Sequence, residues 1–403
     1  MSTPPDDRPI SDTLFERIVT LRRDLHRHPE LSWQEERTGQ RIAQELEALG
    51  LDYRRVAGHG LVADIEGTHA DAPMVALRAD MDALPIHEET GLPFASDTPG
   101  VMHACGHDGH SSILVGAASL LVENPPPVGV RLLWQPAEET ADGARAMIAE
   151  DVLDGVGVIF GGHLDRHYPP GVLVISPGAV NASTDEFTIH IQGQQGHGAR
   201  PHEALDAVVV GSLLVTSLQT IVSREVDPSH PSVISVGSFQ AGSAPNVIAG
   251  RATLEGTIRS QESAVRDHLH HSLRRICDAI STLHGAVIDI DIDRRTPALI
   301  NAPHLVELAT DAARDVVGDQ RITELHTVNM GGEDFAHYLK HVPGCYIRYG
   351  AQVPGRESFP AHSSQFDIHE EALATGAAWL NAVARRAGHR LACGHTFEQE
   401  NSP

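Results

Sequence analysis

The sequence predicts an α/β protein in which a mostly parallel sheet flanked by helices is interrupted by an inserted α+β domain of four strands and two helices. Short apolar runs alternate with helical patterns over residues 74–160, which is typical of parallel strands joined by crossover helices. Over residues 187–292 the pattern changes to strands of alternating polarity around two long amphipathic helices. Because 403 residues exceed what one hydrophobic core usually serves, we expect a first domain at residues 1–183 and 296–403 and an inserted domain at 184–295.

The first domain should begin with a helix that Ser11 or Asp12 caps and that ends before Pro29. Its other predicted elements are short apolar strands and amphipathic helices, several of them bounded by glycine or proline. In chain order these are a helix at 34–49, a strand at 74–77, a helix at 109–122, a strand at 130–134, a helix at 143–150, a strand at 156–160 and, after the insertion, a helix at 303–317, a strand at 346–349 and a helix at 370–386.

The inserted domain is predicted from a period of two residues in its strands and of 3.6 residues in its helices. Its elements are a strand at 187–191, a helix at 204–223, strands at 233–236 and 252–258, a helix at 263–283 and a strand at 287–292. Two helices and four strands in this order suggest a small α+β sandwich.

The composition argues against several classes of function. The net charge of −24 argues against nucleic-acid binding, which needs clustered lysine and arginine. The four cysteines are scattered, so a disulfide framework is not expected and a reducing compartment fits. Residues 1–10 lack the apolar segment of a signal peptide, and no apolar run approaches the ~20 residues that span a bilayer. We therefore expect a cytoplasmic protein with no nucleic-acid or membrane partner.

A cluster of possible metal ligands lies at residues 103–110, where a thiol, several imidazoles and a carboxylate occur within eight residues. Sulfur, nitrogen and oxygen donors together suit borderline-soft divalent metals. Glycines in this segment allow the backbone to fold tightly around a ligand. The alternative is a histidine-rich surface loop with an inert cysteine, and the segment by itself does not separate the two interpretations.

Three predicted strand ends deliver further donors. Asp80 and Asp82 follow the first of these strands, Glu138 and Glu139 the second, and His163 the third. Because ligands bind outside the carboxyl ends of the strands in open α/β sheets, these side chains are expected at one edge of the sheet. The sequence therefore predicts a site there.

The adjacent pair Glu138 and Glu139 suggests a division of labour. One carboxylate can ligate a cation, which lowers the pKa of a water that it binds to roughly 7, while the neighbouring carboxylate takes the proton. The alternative is a solvated acidic surface. His362 on a late loop would more often be structural than ligating, and residues 331–335 could be no more than a helix start.

These residues together resemble the hippurate hydrolase, aminoacylase and auxin-conjugate amidohydrolase branch of the carboxypeptidase G-like metallopeptidases. The resemblance runs nearly end to end and is carried by the order and spacing of motifs at 25–31, 78–85, 103–110, 135–139, 196–202, 244–248, 256–259 and 332–335. It implies a zinc-peptidase-like sheet in the first domain and a lid in the inserted domain that forms a homodimer.

The resemblance also implies roles for individual residues. Two divalent ions (Zn, Mn, Co or Ni) would be bound by Cys105, His107, Glu139, His163 and His362, with Cys105 able to bridge them. Glu138 would be the general base. His197 would reach the partner subunit's site and stabilise the oxyanion, and Asn246 and Arg259 would face the substrate.

The implied reaction is hydrolysis of the amide bond of a small N-acyl amino acid to a carboxylic acid and a free amino acid. Two alternatives stay open, a thiol-dependent amidase using Cys105 and a relative that binds metal or ligand without catalysis. After His163 the branch usually reads Val-Trp-Pro, whereas Asp165 and His167 occur here and could alter the pocket. Asn181 stands where methionine is common.

Overall fold

The computed structural model describes residues 8–327, 329–355 and 359–398, which form two compact units. The first unit contains residues 8–178, 300–326 and the described part of 334–398, and the second contains 179–299 with the described part of 327–333. The sequence prediction leaves the segment 327–333 in the first domain, whereas the structure assigns it to the second unit.

The helices and strands are numbered in chain order. The helices are α1 (Asp12–Arg27), α2 (Glu36–Ala48), α3 (His107–Glu123), α4 (Gly143–Ile148), α5 (Ala207–Thr220), α6 (Ser263–His284), α7 (Pro303–Val317) and α8 (Glu371–Ala392). The strands are β1 (Tyr53–Val56), β2 (Gly60–Ile65), β3 (Met74–Asp80), β4 (Val130–Gln135), β5 (Val156–Asp165), β6 (Leu173–Val174), β7 (Gly178–Asn181), β8 (Ser183–Gln192), β9 (Gly196–His197), β10 (Ser232–Ala241), β11 (Val247–Ile248), β12 (Arg251–Ser260), β13 (Val287–Thr296), β14 (Leu299–Asn301), β15 (Ile322–Thr323) and β16 (Gly344–Gly350).

The first unit is built on an eight-stranded sheet in the order β1-β2-β4-β3-β5-β16-β6-β15. Its central strands β4, β3, β5 and β16 run parallel, and β1 and β2 pair antiparallel to their neighbours. Strand β6 is antiparallel to β16 and parallel to β15. Helices α3 and α8 pack on each other and on β3. Their buried faces are rich in leucine, valine and alanine, so packing against the sheet supplies most of the stability of these helices. The predicted α/β fold class is confirmed.

The second unit contains an antiparallel sheet in the order β10-β12-β8-β13. Helices α5 and α6 pack on each other and on β12. Alternate residues of β8, including Phe187, Ile189 and Ile191, are buried in the same core as Leu214 of α5 and Leu273 of α6. The alternation read from the sequence therefore marks the face of the sheet that the helices cover.

One segment of this unit bears on the expectation that no apolar run spans a membrane. Helix α5 and the turn after it, residues Ala207–Glu225, are long and apolar enough by length and composition to cross a membrane. Serine and threonine divide this segment into short apolar runs. Ser212 and Ser217 donate hydrogen bonds to carbonyl groups one turn earlier in the helix. Leu214 and Leu218 pack in the core of the second unit.

Candidate metal centre

The five predicted metal ligands lie together in the first unit. Their donor atoms form overlapping groups in which every atom is within 4.8 Å of the others. The groups are Cys105–His107–His163, Cys105–Glu139–His362 and His107–Glu138–Glu139. Residues from four separate stretches of the chain, up to 257 positions apart, therefore converge on one small volume.

Cys105 and His107 are placed by the start of α3. The helix begins at His107, two residues earlier than predicted, and Gly106 before it has φ 97, which favours glycine. The Nδ1 of His107 lies 2.9 Å from the backbone oxygen of Asp82 and 3.2 Å from its Oδ1, and both oxygens can only accept. Nδ1 therefore carries the proton, and Nε2 is left with its lone pair available to a cation.

Glu138 and Glu139 lie on the turn after β4, with side chains that are only 12% and 11% exposed. The backbone N–H of Glu139 donates to Asp82 Oδ2 at 3.0 Å, so Asp82 holds both this turn and His107. Glu138 Oε1 accepts from the backbone N–H of Asp334 at 3.4 Å. His107 Nε2 is 3.9 Å from an oxygen of each glutamate, too far for a hydrogen bond and suited to an ion between them.

The remaining two ligands come from β5 and from a late loop. His163 lies inside β5, which continues to Asp165, and not after the strand as the sequence prediction has it. Its Nδ1 donates to the Leu164 carbonyl at 2.7 Å, and its Nε2 is 3.3 Å from Cys105 Sγ. His362 has φ 66, donates its backbone N–H to the Ala104 carbonyl at 2.7 Å, and places Nε2 3.5 Å from Glu139 Oε2.

Asp80, which the sequence places among the donors at the sheet edge, is the partner of His110 in the structure. Their Oδ1–Nδ1 distance is 2.6 Å, and His110 Nε2 accepts from the backbone N–H of Leu164. Both nitrogens of His110 therefore have hydrogen-bond partners, so neither nitrogen of this histidine is left free to bind a metal. Asp80 is itself held by Arg78 at 2.7 Å, and that arginine also binds Asp334.

Residues 76–386 match Peptidase family M20/M25/M40. The chain belongs to this family. The N-acetylcysteine deacetylase of Bacillus subtilis (strain 168) is 37% identical over 93% of this chain and 98% of its own length. The thermostable carboxypeptidase 1 of Saccharolobus solfataricus is 36% identical over 89% of this chain and 92% of its own length.

Among solved structures, the Bacillus subtilis YXEP protein, described as a dinuclear metal binding peptidase from the M20 family, matches with a TM-score of 0.84. The two sequences are 33% identical, and the match covers 94% of this chain and 99% of that chain. The family resemblance and fold class predicted from the motifs are thus confirmed, and this M20 chain is an enzyme of a hydrolase family.

The residues of the M20 centre fit divalent cations on two grounds. His107 Nε2 and Glu139 Oε1 are buried and have no hydrogen-bond partner among the described residues, and such orphaned atoms are costly unless something satisfies them. Burial also raises the pKa of Glu139 to about 7. His107 lowers this pKa, whereas Asp82 and Asp80 raise it further. Burial and then Glu139 raise the pKa of the Cys105 thiol. The anionic forms of both groups therefore require positive charge beside them.

The predicted substrate residues lie in the second unit. His197 is in β9, paired with Val247 of β11, and its Nδ1 accepts from the backbone N–H of Ala199 at 3.0 Å, which leaves Nε2 to face solvent. The Asn246 carbonyl accepts from the backbone N–H of Gly198 at 2.9 Å. Arg259 lies in β12, and burial lowers its pKa more than Glu186 and Asp185 raise it.

Three further positions noted in the sequence have local roles. Asp165 Oδ1 accepts from the backbone N–H of His167 at 2.9 Å and lies 2.7 Å from its Nδ1. Within the described part of the chain neither residue belongs to a candidate ligand group. Asn181 Nδ2 donates to the carbonyls of Gly331 and Gly332 within the second unit, so it fastens the 327–333 segment there.

Proposed function

We propose that this M20 enzyme hydrolyses the amide bond of N-acyl amino acids, releasing a carboxylic acid and a free amino acid. The observation that carries the proposal is the position of Glu138, a carboxylate adjacent in sequence to the candidate ligand Glu139 and within 3.9 Å of His107 Nε2. A relative at 37% identity is named N-acetylcysteine deacetylase, which supports an acylated amino acid as substrate.

Two divalent cations, Zn, Mn, Co or Ni, would be held by Cys105, His107, Glu139, His163 and His362. When bound, they would polarise the amide carbonyl and make an adjacent water more acidic. The protein's own part begins at Glu138, whose carboxylate takes the proton from the attacking water and passes it to the leaving amine. The backbone N–H of Asp334 donates to Oε1 of Glu138 and so orients the carboxylate.

The proposed roles of the second unit concern the substrate. Arg259 is a partly buried arginine of β12, and its guanidinium suits a bidentate contact with the carboxylate of an amino acid. Asn246 would contact the substrate beside it. His197 would donate from Nε2 to the oxyanion, and an interaction of this kind is typically worth ~3 kcal/mol.

We also propose a homodimer formed through the second unit, in which His197 serves the partner's site. Helix α5 exposes an apolar face with Val208, Val209 and Leu213 at 41%, 49% and 42% exposure. Strand β10 is at the edge of its sheet and exposes Phe239. An apolar helix face beside an unpaired strand edge is typical of a surface that a second copy covers.

A cytoplasmic location is supported by the four free cysteines.

The decisive experiment is Glu138→Ala, assayed on acetyl, benzoyl and longer acyl amino acids with each of the four metals added. We expect turnover to fall by about 10²–10⁴-fold while metal content stays at the wild-type level, because Glu139 and not Glu138 is the ligand. Glu123→Ala at the exposed end of α3 is the matched control and should behave as wild type. Retained turnover in Glu138→Ala would refute the assignment, and loss of bound metal would make Glu138 a ligand.

A thiol-dependent amidase is favoured by one contact, the 3.3 Å between Cys105 Sγ and His163 Nε2. Two pKa shifts oppose it. Burial raises the pKa of the Cys105 thiol and lowers that of His163, so the pair stays neutral instead of forming a thiolate and an imidazolium. An enzyme of this kind would keep its activity in the presence of a chelator.

A further inference from the structure

The turn that carries Glu138 and Glu139 has an unusual backbone. Ala137 has φ 54, a left-handed conformation that costs free energy for a residue with a Cβ. The backbone N–H groups on either side of Glu138 both donate to buried carboxylates. Ala137 N donates to Glu35 Oε1 at 2.9 Å, and Glu139 N donates to Asp82 Oδ2 at 3.0 Å.

Glu35 comes from a distant part of the chain, immediately before α2. Its side chain is fully buried, and it belongs to none of the candidate ligand groups. Its second oxygen, Oε2, is buried and has no hydrogen-bond partner among the described residues. Burial raises the pKa of this carboxyl group to about 7. A buried acid with one unsatisfied oxygen lowers stability, so the contact that it does make is the feature to explain.

That contact selects a backbone conformation. Without an acceptor for its N–H, Ala137 could relax to the right-handed or extended regions that alanine prefers. A change of φ at Ala137 rotates the peptide that follows and swings the side chains of Glu138 and Glu139 away from His107. The Gly143 N–H donates to the Ala137 carbonyl at 3.1 Å and fixes the other side of the same residue.

We propose that Glu35 is a positioning residue, whose Oε1 holds Ala137 in its left-handed conformation and thereby aims Glu139 at the metals and Glu138 at the water. The proposal rests on the function proposed above for those two glutamates. Glu35 is outside the candidate ligand groups of the described residues and acts on the turn through the Ala137 N–H.

The test compares Glu35→Ala with Glu35→Gln, because glutamine offers the same acceptor without the ionisable group. The structure also contains a control: Ala57 has φ 46, its N–H donates to Glu150 Oε1 at 2.7 Å, and Glu150 belongs to none of the candidate ligand groups among the described residues. Glu150→Ala therefore removes the same kind of bond elsewhere. Each protein is titrated with Co²⁺, monitored by the visible absorption of cobalt bound to thiolate, and kcat and KM are measured separately.

We expect Glu35→Ala to weaken Co²⁺ binding by about 10–100-fold and to lower kcat by a similar factor with little change in KM. Glu35→Gln and Glu150→Ala should stay within about threefold of wild type in both measurements. Unchanged cobalt binding and kcat in Glu35→Ala would overturn the proposal. An equal loss in Glu35→Gln would also overturn it, since the hydrogen-bond acceptor would then not be what matters.

If Glu35→Ala does not fold, Glu35→Asp decides, because its carboxylate is withdrawn by one methylene from the Ala137 N–H. It should bind Co²⁺ more weakly than Glu35→Gln, and equal binding by the two variants would overturn the proposal. The cobalt titration needs no substrate. If the wild-type enzyme hydrolysed no N-acyl amino acid, the proposed function would fail while this measurement still reported on Glu35.

Discussion

Gly143→Ala places one methyl group where the fold has no room for it. Gly143 is the first residue of α4, and its N–H donates to the Ala137 carbonyl. A Cβ at this position would lie 1.7 Å from the Pro136 carbonyl oxygen and 2.9 Å from Gln135 Nε2, whereas ordinary contact begins at 3.4 Å. Helix α4 and the turn that carries Glu138 must therefore separate by more than an ångström.

The separation has a cost that can be worked out from the contacts. The bonds from Gly143 N to Ala137 O and from Ala137 N to Glu35, at 3.1 and 2.9 Å, would stretch past hydrogen-bond range, a loss of about 1 kcal/mol each. Packing strain adds about 1–3 kcal/mol. We expect a loss of about 3–5 kcal/mol in the free energy of unfolding. The displaced carboxylate should lower kcat/KM by about 10²-fold.

The assay is urea unfolding together with turnover of the best N-acyl amino acid found in the substrate panel. Gly50→Ala is the control: φ is 71 at Gly50 and nothing lies within 4 Å of the added Cβ, so it should lower stability by about 1–3 kcal/mol and leave kcat/KM unchanged. Wild-type unfolding and wild-type kcat/KM in Gly143→Ala would refute the reasoning. A loss of stability alone, as in Gly50→Ala, would show that the turn does not aim Glu138.

Three further outcomes are expected. Dialysis against a chelator should abolish turnover, and added Zn, Mn, Co or Ni should restore it, whereas surviving activity would favour the thiol mechanism. Burial raises the pKa of Asp185, but hydrogen bonds with His270 and Arg266 outweigh it and hold the pKa below its usual range. Asp185→Asn should therefore cost about 2 kcal/mol at pH 7. The cost should shrink as the pH falls from about 3.9, where the carboxylate of the unfolded chain begins to protonate, through the lowered pKa of the folded protein, and an equal cost in urea unfolding at pH 7 and pH 3 would contradict this. Leu213→Asp on the exposed face of α5 should convert a dimer to a folded monomer in sedimentation experiments, and a monomeric wild type would contradict the proposed dimer.

The parts of the fold that the sequence predicts are those with strong periodicity. The central strands and the long helices α5, α6 and α8 appear close to their predicted places because hydrophobic spacing depends on burial of one face. Strands β1 and β2 were not predicted. Strand β1 has only four residues, two of them exposed arginines, and it is a strand because β2 supplies the hydrogen bonds.

Candidate ligands could likewise be named from motifs, because Cys105, His107, Glu138 and Glu139 sit in short segments rich in donor atoms. The groups that support them were found only in part. Asp82, which bonds the turn from 57 residues away, was expected at the same sheet edge because it follows a strand. Glu35 bonds the turn from 102 residues away, and no spacing in the sequence connects it with Glu138. The sequence predicted His163 after the end of its strand, whereas the structure has it inside β5. A polar side chain does not end a strand whose backbone still pairs with β16.

The amino-acid sequence by itself determined local features. These are the segments that bury one face, the residues that can bind a cation, and the carboxylate that is adjacent to a candidate ligand. Only the tertiary structure decided that those donors meet, which nitrogen of His107 is turned toward the centre, and that a left-handed alanine held by Glu35 presents the pair of glutamates. The physical reason is that spacing along the chain governs helices and strands, whereas distances between side chains of different elements depend on how the whole core packs.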